Sequence, residues 1–215
     1  MKEIMDGISR GKSFVRLNSL NRGSEEEINS VIALGVRNVM LPFFHDPKEV
    51  EIFLSLVNKR ARVILLLETA AALIRIEDIL AIKGIDEVMV GLNDLRIATS
   101  VTSHFEILIS PVMDLIAKLV KEAGLPLSVG GVARYEMTTL PVSPDLVLAQ
   151  YPRLNATGAW ISRSMVNSMR SEQEISAVVK ELRNRLTYWS LKSSYELEAA
   201  RQELRACLRA TFPQN

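Results

Sequence analysis

The sequence predicts an α/β fold built on a parallel sheet, on three observations. Short apolar runs rich in Val, Ile and Leu recur along the chain. Each is followed by a segment with helix start and stop signals, the alternation that defines βα units. Several runs also lack polar alternation, as strands buried on both faces of a parallel sheet should.

The runs are Phe14 to Asn18, Asn38 to Phe43, Arg62 to Glu68, Glu87 to Gly91, Leu127 to Gly131 and Ala159 to Arg163. Between the first two, Ser24 followed by Glu27 reads as a capping box, with Glu25 and Glu26 at the positive end of the helix dipole. That helix would carry Ile28, Val31 and Ile32 and stop at Gly35. Asp46-Pro47 opens the next, with Asp as cap and Pro in the first turn. Thr69 to about Ile82 reads as one helix ending before Gly84, and Ser110 to Ala123 as another ending at Gly124. Pro144 to about Leu154 leads into the last strand. Beyond Ser171 the chain turns to Glu, Arg, Leu and Ala without a further strand, giving two helices up to Leu208. Their Leu182, Leu186, Trp189 and Leu191 would face a core or a partner subunit. The expected division is a barrel-like domain over 1–170 and a C-terminal helical extension over 171–215.

The chain has 215 residues, is 48% hydrophobic and carries a net charge of +1, which excludes a disordered polyelectrolyte and argues against nucleic-acid binding. A single cysteine, Cys207, rules out an internal disulfide framework or a cysteine-rich zinc site. No signal core or membrane span is legible, so the expected location is the cytoplasm, with no membrane partner.

Six βα units occupy about 165 residues, whereas a (β/α)8 barrel typically needs about 250. The choice is between an open α/β sheet and a barrel lacking about two units. Neither G-x-G-x-x-G nor a Walker-type loop follows the first strand, where Asn18 to Gly23 stands instead.

In either architecture chemistry gathers at the carboxyl ends of the strands. Arg16, Asn18, Glu68, Asn93, Asp94, Arg134 and Arg163 fall there. Glu68 leaves a dry run of Val63 to Leu67, where an uncompensated charge is costly. Asp94 follows the neighbouring strand, and two such carboxylates repel unless a divalent cation such as Mg2+ or Mn2+ lies between them. The plainer alternative is that Glu68 caps the helix after it. Arg16 reads equally as half of a buried ion pair with Glu68 or as an anchor for an anionic substrate. Arg134 and Arg163 suit phosphate or carboxylate binding, or ordinary salt bridges. His45 is the better placed of the two histidines for acid/base work, although a lone loop histidine is usually just exposed; His104 reads as a helix start.

At these residues the sequence resembles the HpcH/HpaI aldolase and citrate lyase β-subunit family over about residues 14 to 166. Val15-Arg16-Leu17-Asn18 is similar to that family's V-R-[VI]-[NP] strand, and Val39 to Phe44 to its next strand. Leu66-Leu67-Glu68-Thr69 resembles its [IL]-E-T strand, and Gly84-Ile85-Asp86 through Gly91-Leu92-Asn93-Asp94-Leu95 its G-[IV]-D…G-x-x-D-L signature. Gly130-Gly131-Val132-Ala133-Arg134 and Ile161-Ser162-Arg163-Ser164 are similar to a subgroup associated with surface-polysaccharide gene sets.

The resemblance implies a TIM-type (β/α) barrel, here incomplete at its N-terminus. It implies a metal-dependent aldolase or lyase acting through a pyruvate-like 2-oxo acid enolate. Glu68 and Asp94 would hold Mg2+ or Mn2+, Arg16 would be catalytic beside the substrate oxygens, and Asn93, Arg134 and Arg163 would contact substrate. Two strands and a His-bearing segment that precede the V-R strand in the family have no counterpart here, and Leu95-Arg96 stands where the subgroup has Leu-His. The rival expectation is therefore a catalytically silent relative that binds a small acid or another subunit. The expected partner is a second copy, or another chain, completing the barrel.

Overall fold

The computed structural model describes residues 13–133, 142–162, 165 and 171–212. Among them, β1 (Phe14–Arg16), β2 (Asn38–Leu41), β3 (Arg62–Leu67), β4 (Glu87–Val90), β5 (Leu127–Val132) and β6 (Gly158–Ile161) form one six-stranded sheet. All pairs are parallel and the spatial order follows the sequence. A doubly wound sheet reverses strand order at a switch point; this one does not, so it is part of a barrel wall. Among the described residues the wall is open, with β1 and β6 as its edges. It nevertheless curls far enough for the rings of Phe14 and Trp160, on those two edges, to meet edge to face at 5.4 Å. The result is a half-barrel.

The helices among the described residues are α1 (Ser24–Ala33), α2 (Pro47–Val57), α3 (Ala70–Ile74), α4 (Ile76–Leu80), α5 (Leu92–Thr99), α6 (His104–Leu108), α7 (Pro111–Glu122), α8 (Pro144–Arg153), α9 (Glu172–Ser190) and α10 (Ser194–Thr211). Asp46 caps α2 through the Glu49 N–H, and Ser103 and Glu106 form a capping box at α6, whose first residue is His104.

Two local expectations fail. The capping box at α1 does not form: Ser24 is already helical, its Oγ accepts from the Asn21 N–H, and Glu27 instead accepts from the backbone and side chain of Asn18. The carboxylate thereby ties the end of β1 to α1. The helix expected from Thr69 to Ile82 is broken at Arg75 (φ −102°, ψ 16°), whose guanidinium turns back to the carbonyls of Ala71 and His45.

Strand alternation divides the residues into two sets. Val39, Leu41, Val63, Leu65, Leu67, Val88, Val90 and Val129 pack outward under the helices in the main core. Met40, Ile64, Leu66 and Met89 form a separate small cluster on the concave face. Cross-strand partners share a face, so Arg16, which pairs with Met40, is also concave. At the amino-terminal end this face is polar. Arg62 reaches Asn38 at 3.5 Å and Glu87 at 3.6 Å, and Ser128 Oγ donates to Glu87. A Cβ at Gly158 would fall 2.0 Å from Ser128 Oγ, so glycine makes room for this ladder.

The C-terminal helices dock on the chain's own helical layer, chiefly against α8. Val178 and Leu182 of α9 and Ala200, Leu204 and Leu208 of α10 join the main core. Asp145 of α8 accepts from Arg185 and from Trp189 Nε1, while Arg201 of α10 donates to the Ile109 carbonyl. Asp114 sits between Arg153 and Arg201. Leu186 and Trp189 pack against the core as well, but Leu191 is 82% exposed. No helix among the described residues is long and apolar enough to cross a membrane.

Candidate metal and substrate site

Parallel pairing brings the carboxyl ends of β1 to β4 to one rim. Glu68 follows Leu67 at the end of β3 and, two residues past Leu66, faces the concave side. It is 2% exposed, an unusual burial for a carboxylate. Oε1 accepts the backbone N–H of Phe43 at 3.1 Å, from the loop after β2. Phe43 adopts φ 50°, a left-handed conformation uncommon for a bulky residue, and this conformation accompanies the aim of its N–H at the carboxylate. Oε2 is buried with no hydrogen-bond partner among the described residues.

Helix capping does not explain Glu68. That role belongs to Thr69, whose Oγ1 accepts from the Ala72 N–H and donates to the Phe44 carbonyl at 2.7 Å. Gly91 closes the other side: a Cβ there would lie 2.9 Å from both Glu68 Cβ and Oε2. Only glycine lets the end of β4 approach this closely.

Burial pushes the Glu68 carboxyl up to about 7; the Phe43 N–H opposes it, Asp94 reinforces it, and Arg16 opposes it last. Asp94 lies in the first turn of α5 rather than at a strand end, but its carboxylate is close enough to raise that of Glu68. Two carboxylates are both acceptors and cannot bond without a shared proton or cation, which accounts for the orphaned Oε2.

Arg16 is exposed and makes no salt bridge to Glu68, so the buried-pair reading is excluded; it faces the same concave space with its guanidinium free of a carboxylate among the described residues. Asn93 is exposed beside Asp94. Arg134 and Arg163 lie outside the described residues. His45 is exposed and paired with Glu49 at 3.5 Å. His104 stands at the start of α6, its pKa lowered by burial and by Arg96. Neither histidine is among the groups acting on Glu68.

The donor set fits a hard divalent cation. Mg2+ is commonly held by one or two carboxylates and keeps several waters, so no third protein ligand is required. Among the described residues no group of three or more His, Cys, Asp or Glu is gathered that would suit a fully protein-ligated ion. Sequence reasoning did not assign the Phe43 N–H and Gly91 a part in holding Glu68. The first depends on a loop dihedral with no residue signature; the second could have been suspected from a glycine ending an apolar strand.

A family model described as HpcH/HpaI aldolase/citrate lyase matches residues 4–110. No curated protein matches the chain. Among solved structures, RipC from Yersinia pestis is similar with a TM-score of 0.55 and 17% identity, covering 75% of this chain and 79% of its own. A citrate lyase from Burkholderia xenovorans LB400 is similar with a TM-score of 0.58 and 15% identity, covering 98% of this chain and 78% of its own. At such identities these two structures speak for the fold alone. Residues 4–110, which carry both Glu68 and Asp94, match the HpcH/HpaI aldolase/citrate lyase family.

Proposed function

We propose that the protein is a metal-dependent aldolase or lyase that makes or breaks a carbon–carbon bond through the enolate of a pyruvate-like 2-oxo acid. The observation that carries this reading is the buried, unpartnered Oε2 of Glu68 beside Asp94, on the rim where Arg16 stands. Mg2+ or Mn2+ held by Glu68 and Asp94 would supply Lewis-acid polarisation of the substrate oxygens. The chain's own residues do the rest. The Phe43 N–H fixes one Glu68 oxygen and leaves the other for the cation. Arg16 offers a two-pronged donor to an oxyanion, preorganised before charge develops there. Asn93 presents an amide next to Asp94.

The test is Mn2+ titration by calorimetry of the wild type, Glu68→Gln and Asp94→Asn, followed by pyruvate methyl-proton exchange in D2O. Binding that both substitutions abolish, with metal-dependent exchange in the wild type, is the expected result. Equal, negligible heats in all three proteins would remove the metal site.

One observation favours a second reading, a silent relative that binds a small acid or another subunit: His45 is exposed and turned to Glu49, and neither histidine is among the groups acting on Glu68. Metal binding without any methyl exchange would select it.

A further inference from the structure

The amino-terminal ends of β2, β3 and β4, on the opposite rim from Glu68 and Asp94, border an open cleft of about 700 Å³. Each αβ connection here delivers a cation: Arg37 just before β2, Lys59 and Arg60 before Arg62 opens β3, and Lys83 ahead of β4. The chain as a whole carries only +1, so this is local accumulation rather than a reflection of composition.

Most of that charge is uncompensated. Asp86 is the carboxylate lining the cleft, and its Oδ2 already accepts the Val63 N–H at 2.8 Å. The Arg60 guanidinium is spent on the carbonyls of Val57 and Leu56 and on Asn29, and that of Arg62 is shared between Asn38 and Glu87. Arg37 bonds only the Val36 carbonyl next to it, and Arg37, Lys59 and Lys83 form no ion pair among the described residues. Like charges gathered around a concave, partly apolar wall focus a positive potential that a multivalent anion relieves.

The wall itself narrows the class. Leu54 and Ala61, the half-buried apolar residues of the lining, contribute apolar surface beneath the cations. Inorganic phosphate would leave that surface in water, whereas a ligand with a flat organic body and a phosphate chain covers both parts. The volume lies within the usual range of about 300–1,000 Å³ for small-molecule sites. We propose that this cleft binds a nucleoside diphosphate or triphosphate, its phosphate chain held by Arg37, Lys59 and Lys83 and its base against Leu54 and Ala61.

The full chain is titrated calorimetrically with ADP, AMP, pyrophosphate and adenosine in EDTA at 0.15 M salt, so that no metal–nucleotide complex visits the Glu68 rim. One ADP is expected per chain, bound more tightly than AMP or pyrophosphate, with adenosine silent. The double variant Lys59→Gln/Lys83→Gln should bind ADP at least ten-fold more weakly, and Glu68→Gln should bind it as the wild type does. No ADP heat, or equal affinity in the double variant, overturns the proposal. So does a random single-stranded oligonucleotide that binds more tightly than ADP and is lost in the same variant, which would make the cleft part of a polymer track. Should the double variant not fold, acetylation of wild-type Lys59 and Lys83 read by mass spectrometry decides: ADP should slow both at least three-fold, and unchanged rates overturn the assignment.

Discussion

The backbone N–H of Phe43 donates to Oε1 of Glu68 at 3.1 Å, joining the loop after β2 to the end of β3. One carboxylate oxygen is thus immobilised by backbone while the other is buried with no partner among the described residues, in a carboxylate that Asp94 acts on. Such an arrangement costs stability in the protein alone, and a cation bound there would return it, because a ligand that binds only the folded state stabilises it.

The first prediction concerns pH. The folded-state Glu68 carboxyl is raised from 4.5 to about 7, so between those values the folded protein holds a proton that the unfolded chain has released. Stability without metal should therefore fall as pH rises through that window. The loss, on the order of 3 kcal/mol if the whole shift is expressed, is complete above it and absent below it. Urea unfolding in EDTA at pH 5 and pH 8 should show wild type losing ground to Glu68→Gln. Parallel curves at both pH values would contradict it.

Gly91→Ala should displace the carboxylate, since the new Cβ would sit 2.9 Å from Glu68 Cβ and Oε2. Overpacking of this kind costs about 1–3 kcal/mol. Mn2+ affinity measured by calorimetry should drop at least ten-fold, and unchanged affinity would show that Glu68 does not hold the ion.

Arg16→Lys should keep the fold, because the side chain is exposed and makes no salt bridge to Glu68. An ammonium cannot reproduce a bidentate guanidinium contact, so kcat/KM for any 2-oxo acid cleavage should fall by about 100-fold or more. Melting temperature and kcat/KM both matching the wild type would remove Arg16 from the chemistry.

Asp114→Ala should loosen the seam between α7, α8 and α10. It leaves Arg153 without its carboxylate and Arg201 with Glu198 alone, and the two arginine side chains are only 10% and 12% exposed. Removing one member of a buried ion pair costs about 3–5 kcal/mol, and the partial exposure of Asp114 places this case near the lower end. Chemical denaturation measures it, and a change below about 1 kcal/mol would mean that the arginines are satisfied by the Leu108 and Ile109 carbonyls they also bond.

Glu68, Asp94 and Arg16 stand out in the sequence because each breaks a pattern: a charge leaving an apolar run, an acid just past the next strand, a cation inside a strand. Asp86 belonged to a motif of the same signature, yet its carboxylate pins β3 to the start of β4 through the Val63 N–H and lies at the far end of the strands. Ser24 and Glu27 carried a cap signal that the fold overrode, since Glu27 is worth more bonding Asn18 across the β1–α1 connection than closing its own helix end.

Hydrophobic periodicity and local breakers, which are properties of neighbours along the chain, were enough to specify six strands, several of the helices between them and a parallel sheet, but not the short helix Leu92–Thr99 or the extent of His104–Leu108. Strand order, the curl that joins Phe14 to Trp160, the strained loop that points Phe43 at Glu68 and the convergence of Arg37, Lys59 and Lys83 on one cleft were decided only by tertiary structure. Each of these depends on groups distant in sequence meeting in space, and no local propensity encodes a distance between residues that are not neighbours.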